Sequence, residues 1–279
     1  MKKIAVIPNE TKDIGLQRTQ ELVRYLEGRA QVCMAETYAH TGFPARFLGS
    51  GLYDEADAVI VLGGDGTILQ AAEPCARRGI PVLGINLGRV GFMAEVEVTE
   101  LERACDRLLA GDYKLQKRML MRVSIIKGGR PTVSYHALND VVVSKLDARM
   151  IPVSVYAQEE RIVAYLADGV ILSTPTGSTG YSLSAGGPVA DPTMALFIAS
   201  PICAHMLGAR PAVMPADKPI ALRLSANADA NATVTVDGEI REHIQQGDEV
   251  LVTKSDYTLD LIKMGERSFY DTLIKKLSR

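Results

Sequence analysis

ADAVIVLGG, Ala56 to Gly64, is an apolar run that closes on paired glycines. A run without polar alternation is the pattern of a parallel strand buried on both faces. From Thr67 onward Ile68, Leu69, Ala72 and Cys75 recur at helical spacing, and Pro74 is expected to kink or end that helix early. KIAVIP (Lys3 to Pro8) and PVLGIN (Pro81 to Asn86) read as two further buried strands. Between them, residues 13–28 place Leu16, Leu22, Val23 and Leu26 on one helical face, followed by a short strand at Val32 and Met34. A loop with Gly42, Pro44, Gly49 and Gly51 comes next. Thr99 and Glu102 have the spacing of a capping box for a helix carrying Leu101, Ala104, Cys105, Leu108 and Leu109, closed by Gly111. This alternation predicts an α/β domain over residues 1–111, with a doubly wound parallel sheet.

From about Tyr113 the texture changes. RVSII, DVVVS, IPVSVYA, RIVAYLA, GVILS, IALRL, ATVTV and EVLVT follow one another with turn residues between them. They predict a mostly antiparallel, sandwich-like β domain over residues 112–255. SFYDTLIKKL (Ser268 to Leu277) returns to helical periodicity, and residues 256–279 are expected to pack on the first domain.

Bulk properties narrow the function. A hydrophobic share of 47% against 23% charged residues fits a folded globular chain rather than a disordered one. A net charge of −2 gives no electrostatic footprint for nucleic acid or an anionic membrane, and no apolar stretch has the length of a membrane span. With neither a signal peptide nor an anchor in view, the cytoplasm is the expected compartment. Cys33, Cys75, Cys105 and Cys203 are scattered and read as small buried hydrophobes. The four histidines show no ligand spacing, so no protein-ligated metal is expected, while a nucleotide-bound Mg²⁺ stays open.

Four segments carry candidate chemistry. GGDGT, Gly63 to Thr67, joins the carboxyl end of a buried strand to a helix, where open α/β sheets place ligands. Gly63, Gly64, Gly66 and Thr67 would let the backbone approach a phosphate at the helix N-terminus, the glycines with access to positive φ. Asp65, a carboxylate held beside phosphates, makes sense as a partner for a hydroxyl about to be phosphorylated; the plain alternative is a glycine-rich turn with Asp65 capping the helix. GxxxxGK[ST] is absent, and no strand is followed by GxGxxG, so any nucleotide is held differently from a P-loop or a dehydrogenase site. The second segment, ADGVILSTPTGSTGYSLSAGGP (Ala167 to Pro188), offers small hydroxyls and open amides for phosphates and sugars, with Asp168 as an acceptor and Tyr181 to stack on a base. In ALNDVVV, Asn139 and Asp140 read either as a turn or as a pair that reads adjacent ribose hydroxyls. In GINLGRVGF, Phe92 could wall an adenine pocket or belong to the core.

These segments, in this order and spacing, resemble the signature segments of the NAD kinase family. PICAHMLGARP (Pro201 to Pro211) is similar to a further family segment, and VDGEI (Val236 to Ile240) is a weaker echo. GGDGT alone also resembles lipid kinases of the diacylglycerol and sphingosine type; STPTGST is the specific match. The resemblance implies a Rossmann-like domain, a β-rich domain and a NAD site between them. It implies Asp65 at the acceptor 2′-hydroxyl with Gly66 beside it, Asn139 and Asp140 on ribose hydroxyls, and Asp168 at the nicotinamide end. It further implies Thr176 as a substrate contact, an adenine pocket lined by Thr179, Gly180, Tyr181 and Ser184, and contacts from Arg149 and Glu239. ATP and NAD would be the substrates, with Mg²⁺ or another divalent cation, in a homodimer or homotetramer; a catalytically idle NAD-binding sensor is the non-enzymatic alternative. Gly180 stands where the family usually has alanine, Leu166 where a basic residue is frequent, and Gln70 where arginine is common.

Overall fold

The computed structural model describes residues 2–88, 91–94, 96–225, 231–265 and 268–278. The chain divides into two compact units, Met1–Lys117 with Tyr257–Arg279, and Arg118–Asp256.

The first unit is built on a parallel sheet of β1 (Lys3–Pro8), β2 (Gln31–Ala35), β3 (Arg46–Leu48), β4 (Ala58–Gly63), β5 (Val82–Asn86) and the short β6 (Val96–Glu97). Its order is β5-β4-β1-β2-β3 with β6 beside β5, every pairing parallel. All six residues of β4 are buried, as the apolar run requires. Three helices complete it: α1 (Gln17–Leu26), α2 (Asp65–Arg78) and α3 (Leu101–Ala110). α1 turns Leu22, Val23 and Leu26 inward, but Leu16 sits before it in a left-handed conformation (φ 54°) and is not part of the helical face. α2 begins at Asp65, two residues earlier than its apolar periodicity suggests, and runs on to Arg78 through Pro74. Burial of Cys75 and Ala76 beyond the proline offsets the hydrogen bond it removes and holds the last turn. The capping contact ahead of α3 is two residues earlier than Thr99 and Glu102: the Glu97 N–H donates to the Glu100 carboxylate within a 3₁₀ turn. A 3₁₀ turn at Glu36–Thr41 and β3 occupy the expected loop. Leu261 pairs with Val82, and Ile262 and Met264 enter the core with Ile60, Leu83 and Leu108.

Antiparallel pairing dominates the second unit. Its strands are β7 (Lys114–Lys127), β8 (Arg130–Ala137), β9 (Asp140–Lys145), β10 (Ile151–Ala157), β11 (Glu160–Ala167), β12 (Gly169–Ser173), β13 (Leu196–Ile202), β14 (Ala212–Pro215), β15 (Ile220–Leu224), β16 (Asn231–Val236), β17 (Glu239–Gln245) and β18 (Glu249–Lys263), with a 3₁₀ turn at Gly177–Thr179 and a short helix, α4 (Tyr181–Ser184). One sheet has the order β14-β13-β12-β9-β16-β17; a second layer runs β11-β10-β15-β18. Val141, Val143, Val170, Leu172 and Val234 of the first pack with Val153, Val155, Leu222 and Val250 of the second in one apolar core, which is the sandwich the short alternating strands predict. β8, β13, β14 and β17 are strands that periodicity does not mark: β13 contains Pro201, and the edge strand β17, EIREHIQ, buries only Ile244. After β18 comes α5 (Phe269–Leu277), capped by Ser268, whose hydroxyl accepts from the Asp271 N–H at 3.1 Å.

Cys33, Cys75 and Cys105 are buried as expected, and burial pushes the Cys75 and Cys105 thiols up to about 12. Cys203 is exposed, against the expectation from composition. No helix among the described residues is long and apolar enough to cross a membrane.

Candidate functional site

GGDGT lies where a sheet of this topology exposes its strand ends. Gly63 ends β4, Gly64 is the N-cap of α2, and Asp65 is the first helical residue. Neither these glycines nor Gly66 has positive φ, so close approach rather than backbone handedness explains them. A Cβ on Gly63 would fall 2.4 Å from the Thr67 hydroxyl, and one on Gly64 would fall 2.6 Å from the Lys12 ammonium. A Cβ on Gly66 would meet nothing within 4 Å, so packing within the protein does not require that glycine. Thr67 is buried, and its hydroxyl accepts from the Asn9 amide at 2.8 Å.

Asp65 does not cap the helix, since Gly64 holds that position without a side-chain bond. Its carboxylate instead faces the loop after β5. Oδ2 accepts from the Phe92 N–H at 2.8 Å, and Oδ1 from the Met93 and Ala94 N–H groups at 3.0 and 3.1 Å. Gly91 makes room: a Cβ there would lie 2.0 Å from Oδ1. The Phe92 ring packs 5.7 Å from the Phe269 ring of α5, with the Lys276 ammonium 4.4 Å from its centroid. That packing sets Phe92 against α5. Arg89 and Val90 of the same segment lie outside the described residues.

In the second unit two chain segments converge on Leu138–Asp140. Leu138 and Asn139 form a two-residue bend between β8 and β9, and this bend, with the buried Asp140 that opens β9, is the entry to the strand. Its carbonyls are held by Thr174, whose N–H donates to the Asn139 oxygen at 2.8 Å and whose hydroxyl donates to the Leu138 oxygen at 2.5 Å. Its amides are held by Asp237, which accepts from Leu138, Asn139 and Asp140 at 2.7, 2.8 and 3.1 Å. Burial, and then the neighbouring charge of Asp237, push the Asp140 carboxyl up to about 7. Burial also raises Asp237, to about 6, against the pull of its three N–H bonds.

The hydroxyl-rich run folds over this entry. Most of its hydroxyls serve the loop itself rather than standing free for phosphates or sugars. Ser178 donates to the Pro175 carbonyl and accepts from the Ala190 N–H, Ser182 pairs with Ser200, and buried Thr176 accepts from Arg118 at 3.3 Å. Thr179 donates to the Thr176 carbonyl at 3.3 Å. Tyr181 and Ser184 are exposed. Gly177 meets Asn139 so closely that a Cβ would fall 2.1 Å from the Asn139 oxygen, whereas a Cβ on Gly180 would be 3.3 Å from the Gly177 oxygen and 3.7 Å from the Asn139 amide nitrogen.

Known proteins resemble this chain along its length. Residues 4–113 match the model of the ATP-NAD kinase N-terminal domain, and residues 138–264 that of the ATP-NAD kinase C-terminal domain. NAD kinase of Heliobacterium modesticaldum is 41% identical over 100% of this chain and 99% of its own. The chain belongs to the NAD kinase family. The NAD kinase of Caldanaerobacter subterraneus is 37% identical over equally complete coverage. Among solved structures, the Archaeoglobus fulgidus NAD kinase in complex with ATP superposes with a TM-score of 0.75 at 27% identity, over 99% of this chain and 98% of that one. The yeast NADH kinase complexed with NADH gives 0.87 at 22% identity, over 100% and 87%, a likeness of fold.

The other site residues expected from NAD kinases do not all gather at Leu138–Asp140. Asp168 precedes β12 and Thr174 follows it, so the two are separated by the length of a five-residue strand, roughly 17 Å. There Asp168 pairs with Lys145 at 2.6 Å, at the far end of β9 from Asp140. Arg149 is exposed in the connection from β9 to β10. Glu239 opens β17 and pairs with Arg241 at 2.6 Å. Leu166 lies on β11, and Gln70 is exposed on α2. Sequence reading missed Asp237, although the Asp-Gly dipeptide between ATVTV and EIREHIQ is a strong hairpin signal that could have singled it out.

Proposed function

We propose that this chain transfers the terminal phosphoryl group of ATP, carried with Mg²⁺ or another divalent cation, to the 2′-hydroxyl of the adenosine ribose of NAD, giving NADP. Full-length likeness to NAD kinases supports the reaction, and the fixed carboxylate of Asp65 is the observation that carries its chemistry. Three backbone N–H groups orient that carboxylate and leave an acceptor site on Oδ2 for a hydroxyl hydrogen bond. Phosphoryl transfer runs through a loose transition state, so orienting the attacking oxygen matters more than early proton removal. Gly66 leaves backbone open to a phosphate, in keeping with a binding role. A homodimer or homotetramer remains part of the proposal.

The decisive assay is incubation with NAD, ATP and Mg²⁺, read by an NADP-specific dehydrogenase. With one hydroxyl-directed carboxylate, a single phosphorylation is expected: NAD is converted and NADP is not a substrate. A doubly phosphorylated product would overturn the acceptor assignment.

For the ribose of NAD we assign Asn139 and Asp140. The cost of keeping Asp140 where it is supports a binding role. Its folded value of about 7, like that of about 6 for Asp237, lies above the ordinary 3.8. Between those limits the folded protein holds protons that the unfolded chain has released, so stability falls as pH rises through the window. Asp140→Asn is therefore expected to raise the melting temperature at pH 8, with the gain shrinking as the pH approaches 4. KM for NAD should move the other way, rising in the variant because an amide accepts fewer ribose hydroxyls than a carboxylate. In the unaltered protein KM for NAD should also rise as pH falls below about 7 and Asp140 takes up its proton. A KM that stays flat from pH 8 to pH 6 would remove Asp140 from the ribose.

A further inference from the structure

Asp237 stands at the first position of the two-residue turn joining β16 to β17, with φ 47° followed by Gly238 at φ 85°. Positive φ at both positions is the type I′ turn, which Asn-Gly and Gly-Gly serve as well as Asp-Gly. The hairpin therefore needs no negative charge here. Yet the carboxylate reaches back to β9 and gathers three successive N–H groups, those of Leu138, Asn139 and Asp140. The Asp237 N–H in turn donates to the Asp140 carbonyl at 3.0 Å. A second carboxylate beside Asp140 is electrostatically unfavourable, and its repulsion is among the causes that raise Asp140. An asparagine would avoid that repulsion and keep the turn, so the carboxylate answers another need. The three amides supply it, because no neutral side chain of this length offers two acceptor oxygens to three convergent donors.

We propose that Asp237 is a positioning residue for NAD: its carboxylate fixes the backbone of Leu138–Asp140 from the amide side, while Thr174 fixes it from the carbonyl side, so that Asn139 and Asp140 are presented to the ribose in one conformation. The inference rests on the assignment of Asn139 and Asp140 to the ribose. Asp237 touches neither of the reacting oxygens in this account. It acts through the loop, and its loss is felt in acceptor binding before turnover.

The test uses the full chain with Asp237→Asn and Asp237→Gly, both compatible with the turn. KM for NAD is expected to rise about tenfold in Asp237→Asn and further in Asp237→Gly, as one and then all of the acceptor bonds are lost. KM for ATP should stay within about twofold, and kcat should fall less than KM rises. Amide hydrogen exchange at residues 138–140 should quicken in the same order. A carboxylate that serves only the hairpin predicts KM unchanged in Asp237→Asn, and that result overturns the proposal. Asp140→Ala, measured alongside, separates the two claims. A rise in KM for NAD with Asp140→Ala but not with Asp237→Asn defeats the positioning role alone, whereas no rise with Asp140→Ala defeats the ribose assignment on which it stands.

Discussion

Asp65→Asn is expected to lower kcat by about 10² to 10⁴, the usual contribution of a positioned general base, while NAD and ATP still bind. It is also expected to lower stability. The carboxylate accepts the Phe92 N–H at one oxygen and the Met93 and Ala94 N–H groups at the other. An asparagine has a single acceptor oxygen, so in either orientation its NH₂ faces at least one backbone donor. An unsatisfied donor of this kind costs roughly 1–3 kcal/mol. Helix capping does not enter, because Gly64 rather than Asp65 holds the N-cap. The competing explanation is that Asp65 is an anchor for the loop after β5 and nothing more. Both accounts predict a lower melting temperature, so stability alone does not separate them. Turnover does. Measured well below the transition, the anchor account leaves kcat close to the unaltered value, whereas the catalytic account loses at least a hundredfold. Retained turnover in folded Asp65→Asn protein would take the central residue out of the mechanism.

The sequence was most informative where one local pattern met one structural demand. β4 is legible because burial on both faces requires an unbroken apolar run, and Ala58–Gly63 supplies it. The start of α2 was not legible to the residue, because its N-cap is a glycine with no side-chain signature. Its end was hidden by Pro74, a helix breaker that buried Cys75 and Ala76 override. Of the second unit's strands, β13 carries a proline and β17 is a charged edge, so neither shows clean alternation in the sequence.

The candidate site follows the same division. The GGDGT and STPTGST segments announce themselves by composition, yet composition does not say which hydroxyls point inward. Thr174, Ser178 and Ser182 prove to be buried and bonded within the protein, and it is the loop they build, more than their own hydroxyls, that shapes the surroundings of Asn139. The partnership of Asp237 with Leu138–Asp140 spans nearly a hundred residues of chain and becomes visible only when β9 and β16 pair.

Gly177→Ala is expected to raise KM for NAD by at least about a hundredfold and to lower the melting temperature by several degrees. The cause is steric and local. A Cβ at this position would lie 2.1 Å from the Asn139 oxygen, 2.6 Å from its carbonyl carbon and 2.8 Å from its Cα. These are backbone atoms, and they cannot swing aside as the end of a lysine would. Asn139 is tied by Asp237 on one side and Thr174 on the other, so relief requires the Thr174–Gly177 loop to lift as a unit or the entry to β9 to shift. Lifting the loop strains the bonds that tie it down, from the Thr174 N–H to the Asn139 oxygen and from the Thr174 hydroxyl to the Leu138 oxygen. Overpacking of this kind costs typically 1–3 kcal/mol, or about 2–4 °C per kcal/mol for a chain of this size. The larger effect falls on binding, because a displacement of about 1 Å is enough to spoil an oriented contact. Gly180→Ala is the internal control. Its Cβ would be 3.3 Å from the Gly177 oxygen and 3.7 Å from the Asn139 side chain, a fit that needs only a few tenths of an ångström. It should leave KM for NAD within a fewfold of the unaltered protein. A flexible Ser/Gly linker would treat the two alanines alike, since neither would alter a fixed geometry. A sharp difference between glycines three positions apart is the signature of a loop held against Asn139, and equal, mild effects would show that the contact does not shape the NAD site.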